Sequence, residues 1–247
     1  MQINYGKIGD IDSRKATMPL SIRKKIIELS RKRLAKGYGS GSSQAFLRQI
    51  QPRWNSIEMA VHDHILCAYV VTGGVATQLY MPSRQTEDID ILIRKADLKT
   101  LEANLETAGA RLIEVLSPIT DKLPLEGNSW QLPSGISLDV LFAEGQWVNE
   151  AVSQPVYSEQ QPNIPFICLP YLVLMKLNSS RSQDIADVER MLGNKSDQDI
   201  AEVSQVMQSF YPEALDDLYS LIEIGRLEYR PRLEQERIYP NAQDMGL

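Results

Sequence analysis

Asp88 and Asp90 alternate with Ile89 and Ile91 in the stretch Glu87-Asp-Ile-Asp-Ile91. In a strand, residues two apart share a face, so both carboxylates point one way and both isoleucines the other. At an effective dielectric of about 20, two unit charges roughly 5 Å apart repel by about 3 kcal/mol. A strand that buries its isoleucines accepts that cost only if water screens the acids or a cation sits between them. Upstream, Gly73 and Gly74 break the apolar, β-branched run Tyr69–Thr72. Paired glycines let the backbone turn sharply and present N–H groups near a helix start, where anions bind. Phosphate at one end and a divalent metal at the other is the chemistry of nucleotide handling. Alone, Asp-x-Asp reads more readily as the solvent face of an ordinary edge strand, and Gly-Gly as a plain turn. The ordered string of glycine pair, short amphipathic segment (Val75–Tyr80), polar loop (Pro82–Glu87) and acid pair is far more specific.

A third acid, Asp139, interrupts the apolar β run Ile136–Phe142. An unpaired buried carboxylate is expensive, so Asp139 either has a partner or faces solvent. His62 and His64 lie two apart in a helical stretch, do not share a face and are poorly placed to chelate one metal. Cys67 and Cys168, the only cysteines, sit in apolar runs as free thiols of a reducing compartment. Zinc-type Cys/His spacing, a Gly-x-x-x-x-Gly-Lys loop and internal repeats are all absent from the sequence.

The elements that must position these residues follow from periodicity. Ser21 caps a basic amphipathic helix from Ile22 to about Lys36; a Gly/Ser breaker (Gly37–Ser43) and a short helix (Gln44–Gln51) follow. Ser56–Cys67 is helical and leads into the first core strand. After the acid pair come a helix over Ala96–Ala108, a strand over Arg111–Leu116 and a loop over Leu123–Asn128. A hairpin then pairs Trp130–Leu132 with Ile136–Phe142 across Pro133-Ser-Gly135. A short helix (Val148–Val152) and strands near Val156 and Phe166 precede a helix opened by Pro170 and carrying Leu172, Leu174 and Lys176. Six polar residues, Asn178–Gln183, interrupt it. Ser180 and Gln183 have capping-box spacing for a second helix to Leu192. Ser196 or Asp197 caps a helix to Phe210, another runs from Pro212 or Glu213 to about Ile224, and an extended tail starts at Arg226.

The 247 residues are 43% hydrophobic, enough for a proper core in one or two domains. Net charge is −6, unevenly spread: residues 1–56 hold 12 Lys/Arg against three acids, a basic arm of about +9 on a body of about −15. That arm contacts nucleic acid or an acidic partner, or it docks on its own acidic body. With no secretory leader, and no apolar run near the roughly 18 residues a spanning helix needs, the expectation is a soluble cytoplasmic protein without membrane contact.

From Thr72-Gly73-Gly74 through Glu87-Asp88-Ile89-Asp90-Ile91, the chain resembles the nucleotidyltransferase superfamily of the DNA polymerase β type. The lead-in Arg84-x-Thr86-x-Asp88-x-Asp90 is similar to the branch holding the AbiEii-type toxins and the small-molecule nucleotidyltransferases. Gly74 stands where many relatives have serine. The resemblance covers about residues 60–192. It implies an α+β fold: a small mixed β-sheet core with helices packed on one side, followed by a helical C-terminal region. We divide the chain accordingly into a basic arm (1–56), a nucleotidyltransferase core (57–168) and a helical region (169–247).

By the same resemblance, Asp139 supplies the third carboxylate beside Asp88 and Asp90, and the three hold two Mg²⁺ ions, with Mn²⁺ as a substitute. A nucleoside triphosphate lies over Gly73 and Gly74, with Arg84, Lys176 and Arg181 as further nucleotide-binding residues. Lys176 is the leading basic group on the phosphates, and Asp184 and Asp187 are structural, pairing with Arg181 or capping the helix. The implied reaction moves a nucleoside monophosphate to a hydroxyl acceptor and releases pyrophosphate. The acceptor is RNA such as tRNA, tracked by the basic arm, or a small molecule, and a cognate antitoxin is an implied partner. Two other classes remain: a non-catalytic nucleotide-binding or antitoxin-type partner protein with the same fold, and a DNA-binding regulator using the basic helix.

Overall fold

The computed structural model describes residues 65–229 apart from 66, 83–85, 87, 117–121 and 160, together with Lys24, Ile27 and Glu28. Nearly all of the basic arm, the expected helix before Cys67 with His62 and His64, Arg84, and the chain beyond Tyr229 lie outside the described residues. Ile27 is the described exception in the arm: it is helical and buried with the core.

Seven strands form one mixed sheet. They are β1 (Tyr69–Thr72), β2 (Ile89–Arg94), β3 (Arg111–Leu116), β4 (Glu126–Gln131), β5 (Ser137–Ala143), β6 (Val156–Ser158) and β7 (Gln161–Phe166), in the spatial order β3-β4-β5-β2-β1-β7-β6. The pairs β2–β5 and β1–β7 are parallel, and the other neighbours are antiparallel. Central strands covered on both faces read as near-continuous apolar runs. Val70, Val71, Ile91, Leu92 and Ile93 are accordingly fully buried, each worth about 1.5–3 kcal/mol over exposure. Thr72 at the end of β1 and Asp90 near the start of β2 pair across the ladder, so the candidate chemistry sits at one end of the sheet's middle.

Helices connect and cover these strands: α1 (Gly73–Ala76), α2 (Leu98–Thr107), α3 (Gln146–Ser153), α4 (Leu169–Ser179), α5 (Ser182–Leu192), α6 (Asp197–Phe210) and α7 (Leu215–Tyr229). In α4 every residue except Pro170 is buried, so it is a central helix rather than an amphipathic one. The polar stretch expected to interrupt it does so only at Ser180 and Arg181, since Asn178 and Ser179 still belong to α4. Ser180 adopts a left-handed conformation (φ 54°), and its hydroxyl donates to the Leu177 carbonyl at 2.6 Å. The capping box expected at Ser180 and Gln183 is therefore not formed; Ser180 closes α4 instead of opening α5. A capping box does open α6, where Ser196 and Asp199 bond reciprocally at 3.2 and 3.1 Å.

Two other expectations are corrected. The loop over Leu123–Asn128 is in part β4, whose poor strand formers Gly127, Asn128 and Ser129 are held by neighbours on both sides. The helix expected to end near Ile224 continues to Tyr229, packed on α5 at a glycine crossing. A Cβ on Gly225 would lie 2.2 Å from the Glu189 carbonyl oxygen.

Candidate active site

The site begins where β1 ends. Gly73 turns the chain with φ +61°, a conformation L side chains rarely adopt. A Cβ there would lie 1.9 Å from Asp90 Oδ2 and 2.4 Å from Asp90 Cγ, so the Asp90 carboxylate rests against the glycine backbone itself. Glycine is required at position 73 for both conformation and space. The turn is fixed from below by Thr77, whose hydroxyl donates to the Gly74 carbonyl at 2.6 Å, and by buried Thr72, whose hydroxyl contacts Met175 Sδ of α4 at 3.5 Å.

Register brings the acids together. Thr72 pairs with Asp90 across β1–β2, Asp90 with Asp139 across the parallel β2–β5 ladder, and Asp139 with Ser129 across β5–β4. Two like charges directly opposite on adjacent strands destabilise a sheet. The Asp90 carboxyl registers that cost: it is pushed up to about 7 by burial first and by the Asp139 charge next, against the opposing pull of Arg181 and Lys176. Asp88 lies just before β2 rather than inside it and is exposed, with the Thr86 hydroxyl 3.4 Å from its carbonyl.

The cations are arranged differently from each other. Lys176 is buried in α4, and its ammonium donates to Asp184 Oδ1 at 2.8 Å and to Asp187 Oδ2 at 2.7 Å. Arg181, at the α4–α5 junction, donates through Nε to Asp184 Oδ2 at 2.6 Å while its side chain stays 53% exposed. Ser179 donates to the same carboxylate. Burial by itself would raise Asp184, but Lys176 and Arg181 hold it down at about 2. Asp184 thus pairs with Arg181, as the sequence suggested, and also with Lys176; Asp187 pairs with Lys176 instead, and Lys176 lies inside the protein. The Ser179 hydroxyl and the bridging of Lys176 and Arg181 by Asp184 went unnoticed in the sequence.

Among the described residues no three His, Cys, Asp or Glu side chains form a ready-made metal cage. The donor chemistry nonetheless fits a hard divalent cation. Mg²⁺ binds through one or two carboxylates plus substrate phosphates, and Asp90 and Asp139 present two carboxylates whose mutual repulsion a cation would relieve.

The family model for the nucleotidyl transferase AbiEii toxin of type IV toxin–antitoxin systems matches residues 59–244. The chain belongs to this family. It is a nucleotidyltransferase, of a family that implies a nucleoside triphosphate substrate and usually a divalent metal. No protein of curated function matches it. Among solved structures, ANT(2″)-Ia in complex with adenylyl-2″-tobramycin is 16% identical, with 71% of this chain and 99% of that chain covered and a TM-score of 0.39. A protein from Thermotoga maritima provisionally described as a nucleotidyltransferase is also 16% identical, at 60% and 97% coverage and a TM-score of 0.38. Among the described residues no helix is long and apolar enough to cross a membrane.

Proposed function

We propose that this AbiEii-family nucleotidyltransferase uses Asp88, Asp90 and Asp139 to transfer a nucleoside monophosphate from a triphosphate to a hydroxyl acceptor, releasing pyrophosphate. The observation that carries this reading is the in-register Asp90–Asp139 pair with the Asp90 carboxylate packed on Gly73. Two carboxylates forced together beside a backbone turn are costly in an empty site and useful in one that receives a cation and a polyphosphate. Asp90 and Asp139 would hold Mg²⁺, and Asp88, exposed at the mouth, would complete the site on the nucleotide side. Bound there, Mg²⁺ supplies charge stabilisation to the attacking and departing oxygens of an in-line displacement.

The chain's own contribution is positional. Gly73 turns the backbone sharply beside Asp90, at the helix start against which the triphosphate would lie. Asp139 stands on the strand flanking Asp90 and receives the acceptor hydroxyl's proton as its oxygen bonds to the α-phosphorus and the bond to the β-phosphate breaks. Arg181, exposed and close enough to Asp90 to feel its charge, steadies the departing pyrophosphate. Lys176, saturated by two buried ion pairs, acts through Asp184 to aim Arg181 rather than by touching phosphate. The acceptor we favour is RNA, tracked by the +9 arm, with a cognate antitoxin as the regulatory partner of the type IV system.

The test is transfer of label from each of the four α-labelled triphosphates to total RNA with Mg²⁺. Wild type labels RNA with at least one nucleotide, and folded Asp90→Asn and Asp139→Asn do not. Tight nucleotide binding with no transfer from any of the four would overturn the catalytic reading in favour of a binding module.

A further inference from the structure

Strand β3 forms one edge of the sheet among the described residues, and it is unlike the other strands. Arg111 through Val115 are all exposed, including Leu112 (48%), Ile113 (61%) and Val115 (69%). An edge strand of this kind offers unpaired N–H and C=O groups beside an apolar stripe, which is a template for another strand. Soluble proteins blunt such edges with charged side chains, above all lysine, with proline or with bulges. β3 has no lysine or proline, and its two charges and one bulge leave the apolar stripe exposed while narrowing which strand can pair with it.

The two charges on β3 say which strand fits. Arg111 and Glu114 flank the Leu112-Ile113 pair. In a regular strand, residues three apart lie on opposite faces. Here a bulge between Leu112 and Glu114 alters that: Arg111 pairs with Gln131 and Glu114 with Ser129, and those two residues are two apart on β4 and share a face. The bulge therefore brings Arg111 and Glu114 to the same face of the sheet. Arg111 is held there by a hydrogen bond from its guanidinium to Gln131 Oε1 at 3.1 Å.

We propose that β3 pairs antiparallel with β3 of a second copy of this chain, about a twofold axis between Leu112 and Ile113. In this register Arg111 of each copy lies opposite Glu114 of the other, and Leu112 lies opposite Ile113. A twofold axis perpendicular to the sheet preserves faces, so Arg111 can meet Glu114 of the second copy only if both residues occupy one face within a chain. The bulge supplies that condition. A register shifted by two residues sets Arg111 against Leu116 and Ile113 against Glu114, which buries charge against aliphatic carbon. The interface is isologous and closes on itself, giving a dimer with one continuous sheet of fourteen strands rather than a filament.

Sedimentation velocity of the full chain over a concentration series tests this. Wild type shifts reversibly from monomer to dimer, and Ile113→Pro, which blocks the edge, is monomeric throughout. Arg111→Glu or Glu114→Arg alone sets like charges opposite each other at both ends and weakens dimerisation about tenfold. Mixing the two variants restores both ion pairs, so their heterodimer forms as tightly as wild type while each variant alone does not. Circular dichroism on each variant confirms folding. A wild type that stays monomeric at every concentration, as it would if β3 received a strand from a different protein, overturns the proposal. So does a dimer indifferent to Glu114→Arg, or a mixture no tighter than its components.

Discussion

Two clusters of buried or half-buried charge lie within reach of each other's fields, and they are built on opposite principles. Around Lys176 every charge has its complement: one ammonium between Asp184 and Asp187, with Arg181 and Ser179 completing Asp184. Around Asp90 the nearest strand neighbour is another acid, and the carboxyl is displaced far from its ordinary 3.8 to about 7. The first cluster balances its charges within the protein. The second sets acid against acid, the kind of arrangement that marks a candidate for chemistry rather than for holding the fold.

The largest effect should come from breaking the balanced cluster. Lys176→Met leaves two buried carboxylates without a cation and should cost about 3–5 kcal/mol, read as a lowered denaturant midpoint. An unchanged midpoint would mean that the ammonium is not needed where it lies. Gly73→Ala comes next: the added carbon collides with the Asp90 carboxylate at a backbone angle alanine resists, so we expect about 2–3 kcal/mol of destabilisation and loss of label transfer.

Substituting the unbalanced cluster should move stability the other way. Between pH 3.8 and about 7 the folded metal-free protein keeps a proton on Asp90 that the unfolded chain has released, so this group's contribution is full below pH 3.8 and is lost as pH rises through 7. Asp90→Asn in chelator should therefore gain about 1–2 kcal/mol at pH 8, flatten the slope between pH 4 and 7, and abolish transfer. Asp184 has the reverse sign: held at about 2, it stabilises above 3.8, and that contribution fades as pH falls through 2. The smallest change in stability, below about 1 kcal/mol, belongs to Arg181→Gln, because that side chain is half exposed. Its transfer rate should nonetheless fall at least about tenfold if the guanidinium meets the leaving group, measured in the same labelling assay.

These contrasts were only partly legible in the sequence. Alternating Asp88-Ile-Asp90-Ile gave away the strand and its buried face, because a period of two survives without knowledge of neighbours. Asp139 stood out as a lone acid in an apolar run, but its pairing opposite Asp90 is a matter of register, which depends on the intervening hairpin. The burial of Lys176 between two acids was not read from the sequence, because exposed lysines are the rule. The clue was the helix around it, apolar on every side, where a lysine must find acids of its own. The first part of β4 escaped notice, although its end at Trp130 and Gln131 was expected as one arm of the hairpin, because Gly127, Asn128 and Ser129 have little strand preference and take their conformation from β3 and β5. At Ser180 the residue types allowed a cap at either end of a helix, and only the left-handed backbone decides which.

The parallel ladder between β2 and β5 has a consequence for when the enzyme becomes active. Asp90 and Asp139 lie on neighbouring parallel strands separated in sequence by α2, β3 and β4, so bringing them together requires a loop closure of long sequence separation, the kind of contact that slows folding. A partly synthesised chain, or one nicked in that excursion before it closes, has its acids but not their juxtaposition. If these two acids carry the transfer as proposed, a cell making this protein is spared its activity until synthesis has passed Asp139 and the middle of the sheet has locked.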